Sequence, residues 1–212
     1  MKATAVVPVK RFAVAKSRLA SGVDEARKPE LVAAMVADVL EAIGAARQIE
    51  RTIVVSQEPM AAELAAAAGA ELISDFDDSS HVAAALVGIA AAEAAGAQCV
   101  ALLPGDCPLL DPRELDKMLT GVPDEYVAVI PDRHGTGTNA LVLAPPSAIV
   151  PSFGEGSKER HVEAARAAGI PYAVEDLPSL GLDLDTPADI VALTMRVEMS
   201  GGAKRTAKAL GI

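Results

Sequence analysis

The sequence predicts an α/β fold, a three-layer sandwich of helices around a mostly parallel sheet. Three observations carry this. Short β-branched runs alternate with Ala-rich runs roughly five times along the chain, the pattern of parallel strands joined by helical crossovers. Hydrophobic residues make up 51% of the 212, which suffices for one sizeable core, and one domain over 1–212 is the default at this length. Aromatics are 2% and Trp is absent, so the core must be built from Ala, Val, Leu and Ile; Ala favours helix and the β-branched residues favour strand.

Taken in order, "ATAVVPV" (3–9) reads as the first strand. The segment 29–46 is a helix, because Leu31, Val32, Met35, Val36, Val39, Leu40 and Ile43 form one stripe at helical spacing. "TIVVS" (52–56) is a strand, 59–69 a helix closed by Gly69 and 70–74 a short strand. The acidic loop "DFDDSS" (75–80) supplies N-cap residues for a helix near 80–95. "CVALLP" (99–104) is a strand apolar enough to be buried on both faces. Asp111-Pro112 opens a helix over 111–119. Strands at 125–132 and 139–145 flank "RHGTGT", which predicts antiparallel pairing late in the chain. A helix (156–169), a strand (171–177) and a last helix within 181–198 follow. The tail 200–212 is expected to be mobile or a short closing helix.

The formal charge is −10, with no extended basic block, which argues against nucleic acid or an anionic membrane as partner. Cys99 and Cys107 have neither metal-type spacing nor a disulfide framework, and the expected setting is a reducing cytoplasm. The N-terminal apolar run is too short for a signal peptide, and no stretch reaches the roughly 18 apolar residues of a membrane span.

Four stretches could carry chemistry. "VPVKRFAVAKSRLA" (7–20) places Lys10, Arg11, Lys16 and Arg18 just past the first strand. Such cations can offset charge on a departing diphosphate, though the loop is no Walker motif and reads equally well as a solvated surface loop. Asp106 in "LPGDCPLL" follows a strand directly. In open α/β sheets that edge is where ligands bind, and a carboxylate there suits Mg²⁺; alone it reads as a turn or cap residue. In "GLDLDTP", Asp183 and Asp185 alternate and so face one side of an extended segment. They would join Asp106 in an acidic metal-binding centre, or Asp185-Thr186-Pro187 would simply cap the last helix. "HGTGTNAL" (134–141) and "FGEGSKERH" (153–161) are Gly-rich loops entering a strand and a helix, and the second offers Gly154, Gly156 and Ser157 to an anion. His81, His134 and His161 lack metal spacing and read as surface or packing residues, and Cys107 as a buried filler.

Together, "VPVKRFAVAKSRL", "LLPGDCPLL", "GTGTNAL", "FGEGSKERH" and "GLDLDTPADI" resemble the CofC/FbiD guanylyltransferases of coenzyme F-420 biosynthesis, within the MobA-like nucleotidyltransferase group. The resemblance spans Val7 to about Ile190 in family order. It implies a Rossmann-like, GT-A-like nucleotidyltransferase domain that joins GTP to phosphoenolpyruvate, giving enolpyruvyl-2-diphospho-5'-guanosine and diphosphate. The alternatives are the same chemistry on 2-phospho-L-lactate, or a catalytically silent GTP-binding regulatory protein. By the same resemblance Thr138, Gly154 and Ser157 contact phosphoenolpyruvate, and Asp106, Asp183 and Asp185 hold Mg²⁺. Lys10, Lys16 and Arg18 face the triphosphate, with Asp106, Lys16 and Arg18 the catalytic set. Relatives often have a Gly-rich version of that cationic loop, where this chain has Ala13, Val14 and Ala15. A monomer and a homodimer are both compatible with the sequence.

Overall fold

The computed structural model describes residues 2–12, 24–74 and 80–212. Strands β1 (Ala3–Pro8), β2 (Ile49–Val55), β3 (Glu71–Ile73), β4 (Val100–Leu102), β5 (Tyr126–Pro131), β6 (Thr138–Ala144) and β7 (Tyr172–Val174) form one sheet in the order β3-β2-β1-β4-β6-β5-β7. Only β6 runs against its neighbours, antiparallel to both β4 and β5; the remaining pairs are parallel. The helices are α1 (Lys28–Ala45), α2 (Pro59–Ala67), α3 (His81–Ala94), α4 (Pro112–Leu119), α5 (Ser157–Ala168), α6 (Pro187–Ser200) and α7 (Lys204–Leu210), with short 3-10 turns at Glu25–Arg27 and Pro178–Leu180. The mostly parallel, mixed α/β sandwich and its late antiparallel pairing are as the sequence predicts.

Two apolar layers lie on opposite faces of the sheet. The strands feed both by strict alternation: Ala5 and Val7 of β1 go to one layer and Val6 to the other. The layers are built to opposite size rules. On the α1 side the sheet offers many small residues, among them Ala5, Ala101, Ala128 and Ala140, beside Val7, Val54, Ile130 and Val142, and α1 fills the space with Leu31, Met35, Val39 and Ile43. On the α3 side the sheet offers Val6, Ile53, Val55 and Leu102, and the helix answers with Ala84, Ala85 and Ala92. This is how a chain without Trp reaches close packing.

Gly88 is the extreme of that rule. A Cβ there would lie 2.3 Å from Val6 Cγ1 and 3.1 Å from Val55 Cγ2. Both neighbours are β-branched and stiff at χ1. Gly88→Ala is therefore expected to destabilise the fold by about 1–3 kcal/mol, despite alanine's better helix propensity; a shift of the urea midpoint checks this.

Helix starts follow local chemistry. Ser80 caps α3 by accepting the Ala83 N–H, and Asp111 caps α4 by accepting that of Arg113. The last helix, expected within 181–198, starts at Pro187, behind an extended N-cap residue, Thr186. The tail forms α7, docked on α1, where buried Asp38 accepts the N–H and hydroxyl of Thr206. Among the described residues, no helix is long and apolar enough to cross a membrane.

Candidate active site

The chain leaves β1 towards β2 and β3 on one side and returns to place β4 on the other. The carboxyl ends of β1 and β4 thus bound a topological switch point, where open α/β sheets bind ligands. A cavity of about 450 Å³ opens there, within the range of small-molecule sites. Pro8, Val9 and Lys10 enter it from β1, and Leu103 to Asp106 from β4. Thr138 and Asn139 also line it, because the reversed β6 begins at this edge. Val32 and Val36 of α1, His81 and Phe153 complete its walls.

Asp183 and Asp185 reach the same cavity from far along the chain. Leu182 and Leu184 are buried and the two aspartates between and after them are half exposed, so the alternation read from the sequence holds. Four hydrogen bonds pin the segment. The Leu180 carbonyl accepts from Asn139 Nδ2 at 2.7 Å and from Cys107 Sγ at 3.5 Å. The Leu184 N–H donates to the carbonyl of Asp106 itself at 3.2 Å. The Asp185 N–H donates to Asp189 Oδ2 at 3.0 Å. Asp106 and the Asp183–Asp185 pair are therefore held together by main chain, independently of what their carboxylates do. Cys107, expected as filler, also anchors Leu180.

Asp189, fully buried, was not among the residues picked out from the sequence. Its Oδ2 also accepts the Thr186 N–H and hydroxyl, and Arg133 from the β5–β6 loop pairs with Oδ1. Burial alone would push this carboxyl up; the Thr186 hydroxyl, the Asp185 and Thr186 N–H groups and Arg133 outweigh it and hold it below the ordinary carboxylate range. Thr186, not Asp185, caps α6. The signal was present as "TPAD", a Thr with an acid three residues on.

On the β6 side the sequence expectations divide. Thr138 lines the cavity; Gly154 and Ser157 are not among its lining residues. Ser157 is fully buried, its N–H bonded to the Gly154 carbonyl and its Oγ without a hydrogen-bond partner. The neighbouring Lys158 N–H is taken by the Thr136 carbonyl, so the start of α5 is less open to an anion than the Gly-rich sequence suggests. Arg160 braces this loop, donating to the carbonyls of Ser152 (2.7 Å) and Glu155 (2.5 Å). His161 is fully buried, with Ser152 N–H donating to Nε2 and Thr138 Oγ1 3.0 Å from Nδ1. Of the two readings expected, surface or packing, the packing one holds, with both ring nitrogens engaged.

Burial, with Arg160 adding to it, pushes the His161 imidazole from 6.5 down to about 4. At His161 the unfolded chain thus holds up to one more proton than the folded chain between those values. The contribution of the neutral ring is complete above pH 6.5 and is lost as pH falls towards 4. The urea midpoint is expected to drop across that window, and less steeply in His161→Gln.

Comparison with known proteins decides the assignment. Residues 3–211 match the family model described as "Guanylyl transferase CofC like". The chain belongs to the CofC-like guanylyl transferase family. It is 40% identical over 210 residues to the phosphoenolpyruvate guanylyltransferase of Conexibacter woesei, covering 97% of this chain and 94% of that protein. The corresponding protein of Sphaerobacter thermophilus is 38% identical over 193 residues, covering 91% and 93%. A nucleotidyl transferase from Methanothermobacter thermautotroptrophicus shares the fold with TM-score 0.67 at 16% identity, over 94% of this chain and 99% of that one. This family member is accordingly an enzyme of the nucleotidyltransferase class, as the resemblance implied.

In this CofC-like chain Lys10 reaches the cavity, while Lys16 and Arg18 lie outside the described residues. The start of their loop is tied to the segment after β2: Phe12 N–H donates to Glu58 and Arg11 to Gln57. Ser56, which lies at the same edge, is spent locally on the Glu58 N–H. Cys99 is buried, which pushes its thiol up to about 11, so it is no nucleophile at neutral pH.

The nucleotidyltransferase class implies a divalent ion, and the donor set suits a hard one. Asp106, Asp183 and Asp185 line one cavity, and carboxylate oxygens are the ligands such an ion takes. Among the described residues, no group of three or more His, Cys, Asp or Glu side chains is gathered so as to hold a metal ion by itself. Mg²⁺ is ordinarily bound by one or two carboxylates plus substrate phosphates and water, not by an all-protein cage.

Proposed function

We propose that this chain, acting as one domain over 1–212, is a phosphoenolpyruvate guanylyltransferase. It joins GTP to phosphoenolpyruvate, releasing diphosphate and enolpyruvyl-2-diphospho-5'-guanosine, as part of coenzyme F-420 biosynthesis. The observation that carries the reading is the convergence of Asp106, Asp183, Asp185, Lys10 and Thr138 on one cavity at the switch point. The names of the family relatives support guanylyl transfer and favour phosphoenolpyruvate over 2-phospho-L-lactate.

A phosphate oxygen of the acceptor attacks the α-phosphorus of GTP in line; the bond to the bridging oxygen of the β-phosphate breaks, and diphosphate departs with those electrons. The attacking oxygen is already anionic at neutral pH, so no strong base is required. The obstacle is repulsion between polyanions. Lys10 offsets charge on the triphosphate side, and Lys16 and Arg18 are assigned the same task. Asp106, Asp183 and Asp185 would hold Mg²⁺, whose positive charge screens the phosphates of both substrates when bound. Thr138 orients the acceptor, with Gly154 and Ser157 shaping the loop behind it. Holding reactants in line supplies several kcal/mol, on the order of 7–11 in favourable cases.

The test is diphosphate release from GTP and Mg²⁺ with phosphoenolpyruvate or 2-phospho-L-lactate, with the mass of the adduct measured. Faster turnover with phosphoenolpyruvate is expected. Preference for 2-phospho-L-lactate would reassign the acceptor, and GTP binding without diphosphate release would point to a silent regulatory protein.

A further inference from the structure

We propose that His161 is a positioning residue that fixes the Thr138 hydroxyl as a hydrogen-bond donor into the cavity, so that this spot selects an anionic oxygen carrying no hydrogen. The inference rests on the assignment of Thr138 to the acceptor side.

The argument runs through the ring nitrogens. Nε2 lies 2.8 Å from the Ser152 backbone N–H. An amide N–H can only donate, so Nε2 must be unprotonated and accept. The neutral ring then carries its proton on Nδ1, 3.0 Å from Thr138 Oγ1. Nδ1–H therefore donates and the threonine oxygen accepts. Burial supports the neutral form, because the ring is fully enclosed and Phe153 meets it edge-on at 5.5 Å between centroids.

Among the described residues His161 is the only hydrogen-bond partner of the Thr138 side chain. The hydroxyl hydrogen is thus left to donate, and Thr138 lines the cavity. A free threonine hydroxyl can donate or accept and so tolerates either kind of ligand atom. One whose acceptor side is taken by a buried ring is biased to donate. An ionised carboxylate or phosphate oxygen satisfies it; an amide N–H or a second donating hydroxyl does not. The Ser152 N–H is thereby coupled to ligand choice through two hydrogen bonds.

Three measurements test this. Nitrogen-15 NMR of the intact protein at neutral pH should show His161 protonated on Nδ1 and bare on Nε2. An Nε2–H tautomer or an imidazolium would overturn the proposal, whatever reaction the protein catalyses.

The second separates the two partners of the ring. His161→Gln keeps an acceptor where Nε2 sits but loses the donor to Thr138; His161→Asn does the reverse. His161→Gln should raise the KM for phosphoenolpyruvate about tenfold, the cost of a hydrogen bond to a charged group, with the KM for GTP within about twofold. His161→Asn should stay near the parent, and His161→Gln added to Thr138→Ala should cost nothing further. The opposite ranking of Gln and Asn, or full additivity with Thr138→Ala, would assign the ring to loop stability alone.

The third replaces KM by calorimetric binding of phosphoenolpyruvate, inorganic phosphate and pyruvate, so that a chain that releases no diphosphate is still tested. Weaker phosphate binding in Thr138→Ala identifies a phosphate oxygen, and weaker pyruvate binding a carboxylate. No change with any of the three probes would overturn the inference.

Discussion

Asp106→Ala is expected to reduce diphosphate release by at least about 10²–10³-fold, the usual scale for removing a group that stabilises transferring charge, while leaving the chain folded. The second half follows from how the site is built. The contact between β4 and the 183–185 segment uses the main-chain carbonyl of Asp106 and the N–H of Leu184. Removing the half-exposed carboxylate spares that bond, and Cys107 and Asn139 still hold Leu180. Stability should fall by no more than about 1 kcal/mol, the centre of the range for single substitutions. Turnover under saturating GTP, Mg²⁺ and phosphoenolpyruvate, alongside a thermal melt, reads both quantities. Near-parental turnover in a folded Asp106→Ala protein would remove the carboxylate from the mechanism.

Asp189→Ala should do the reverse: a large loss of stability, with activity failing as a consequence. The carboxylate is buried and receives Asp185 N–H, Thr186 N–H, the Thr186 hydroxyl and Arg133. Its removal strands two part-buried N–H groups and uncouples the β5–β6 loop from α6. The expected cost is about 3 kcal/mol, or a fall in Tm of about 6–12 °C for a chain of this size. In the fraction that remains folded, the KM for phosphoenolpyruvate should rise, because Arg133 and Thr138 bracket the same loop. Asp189→Asn should recover part of the stability by keeping one acceptor oxygen. A melt of Asp189→Ala indistinguishable from the parent would show that these contacts carry no net free energy.

The strands and helices were legible because each carries its own period. The helical stripe from Leu31 to Ile43 and the alternation of β1 each encode a buried face without reference to the rest of the chain. Asp106 was legible from its place, directly after a strand at the edge where ligands bind. Asp183 and Asp185 were legible from their alternation with Leu182 and Leu184. What was hidden depends on pairs far apart in sequence. His161 looked isolated because its partners, Thr138 and Ser152, are supplied by a strand and a loop whose approach no local pattern announces. Arg133 and Asp189, fifty-six positions apart, were invisible for the same reason. Ser157 went the other way: a Gly/Ser loop before a helix suggests an open anion cradle, but Gly154 and Thr136 carbonyls already occupy its N–H groups.

The reversed direction of β6 has a consequence for how such an enzyme can diversify. Thr138 and Asn139 open a strand that farther along is clamped on both sides, by β4 from Leu141 to Leu143 and by β5, while a register irregularity beside Asn139 lets this first stretch depart from the ladder. A register slip of one residue would swap inward and outward faces along the whole strand. Change in the cavity lining is therefore confined to this first stretch, ahead of the clamped ladder. On the proposed assignment of Thr138 to the acceptor, preference should shift by exchange of single side chains there, in discrete jumps.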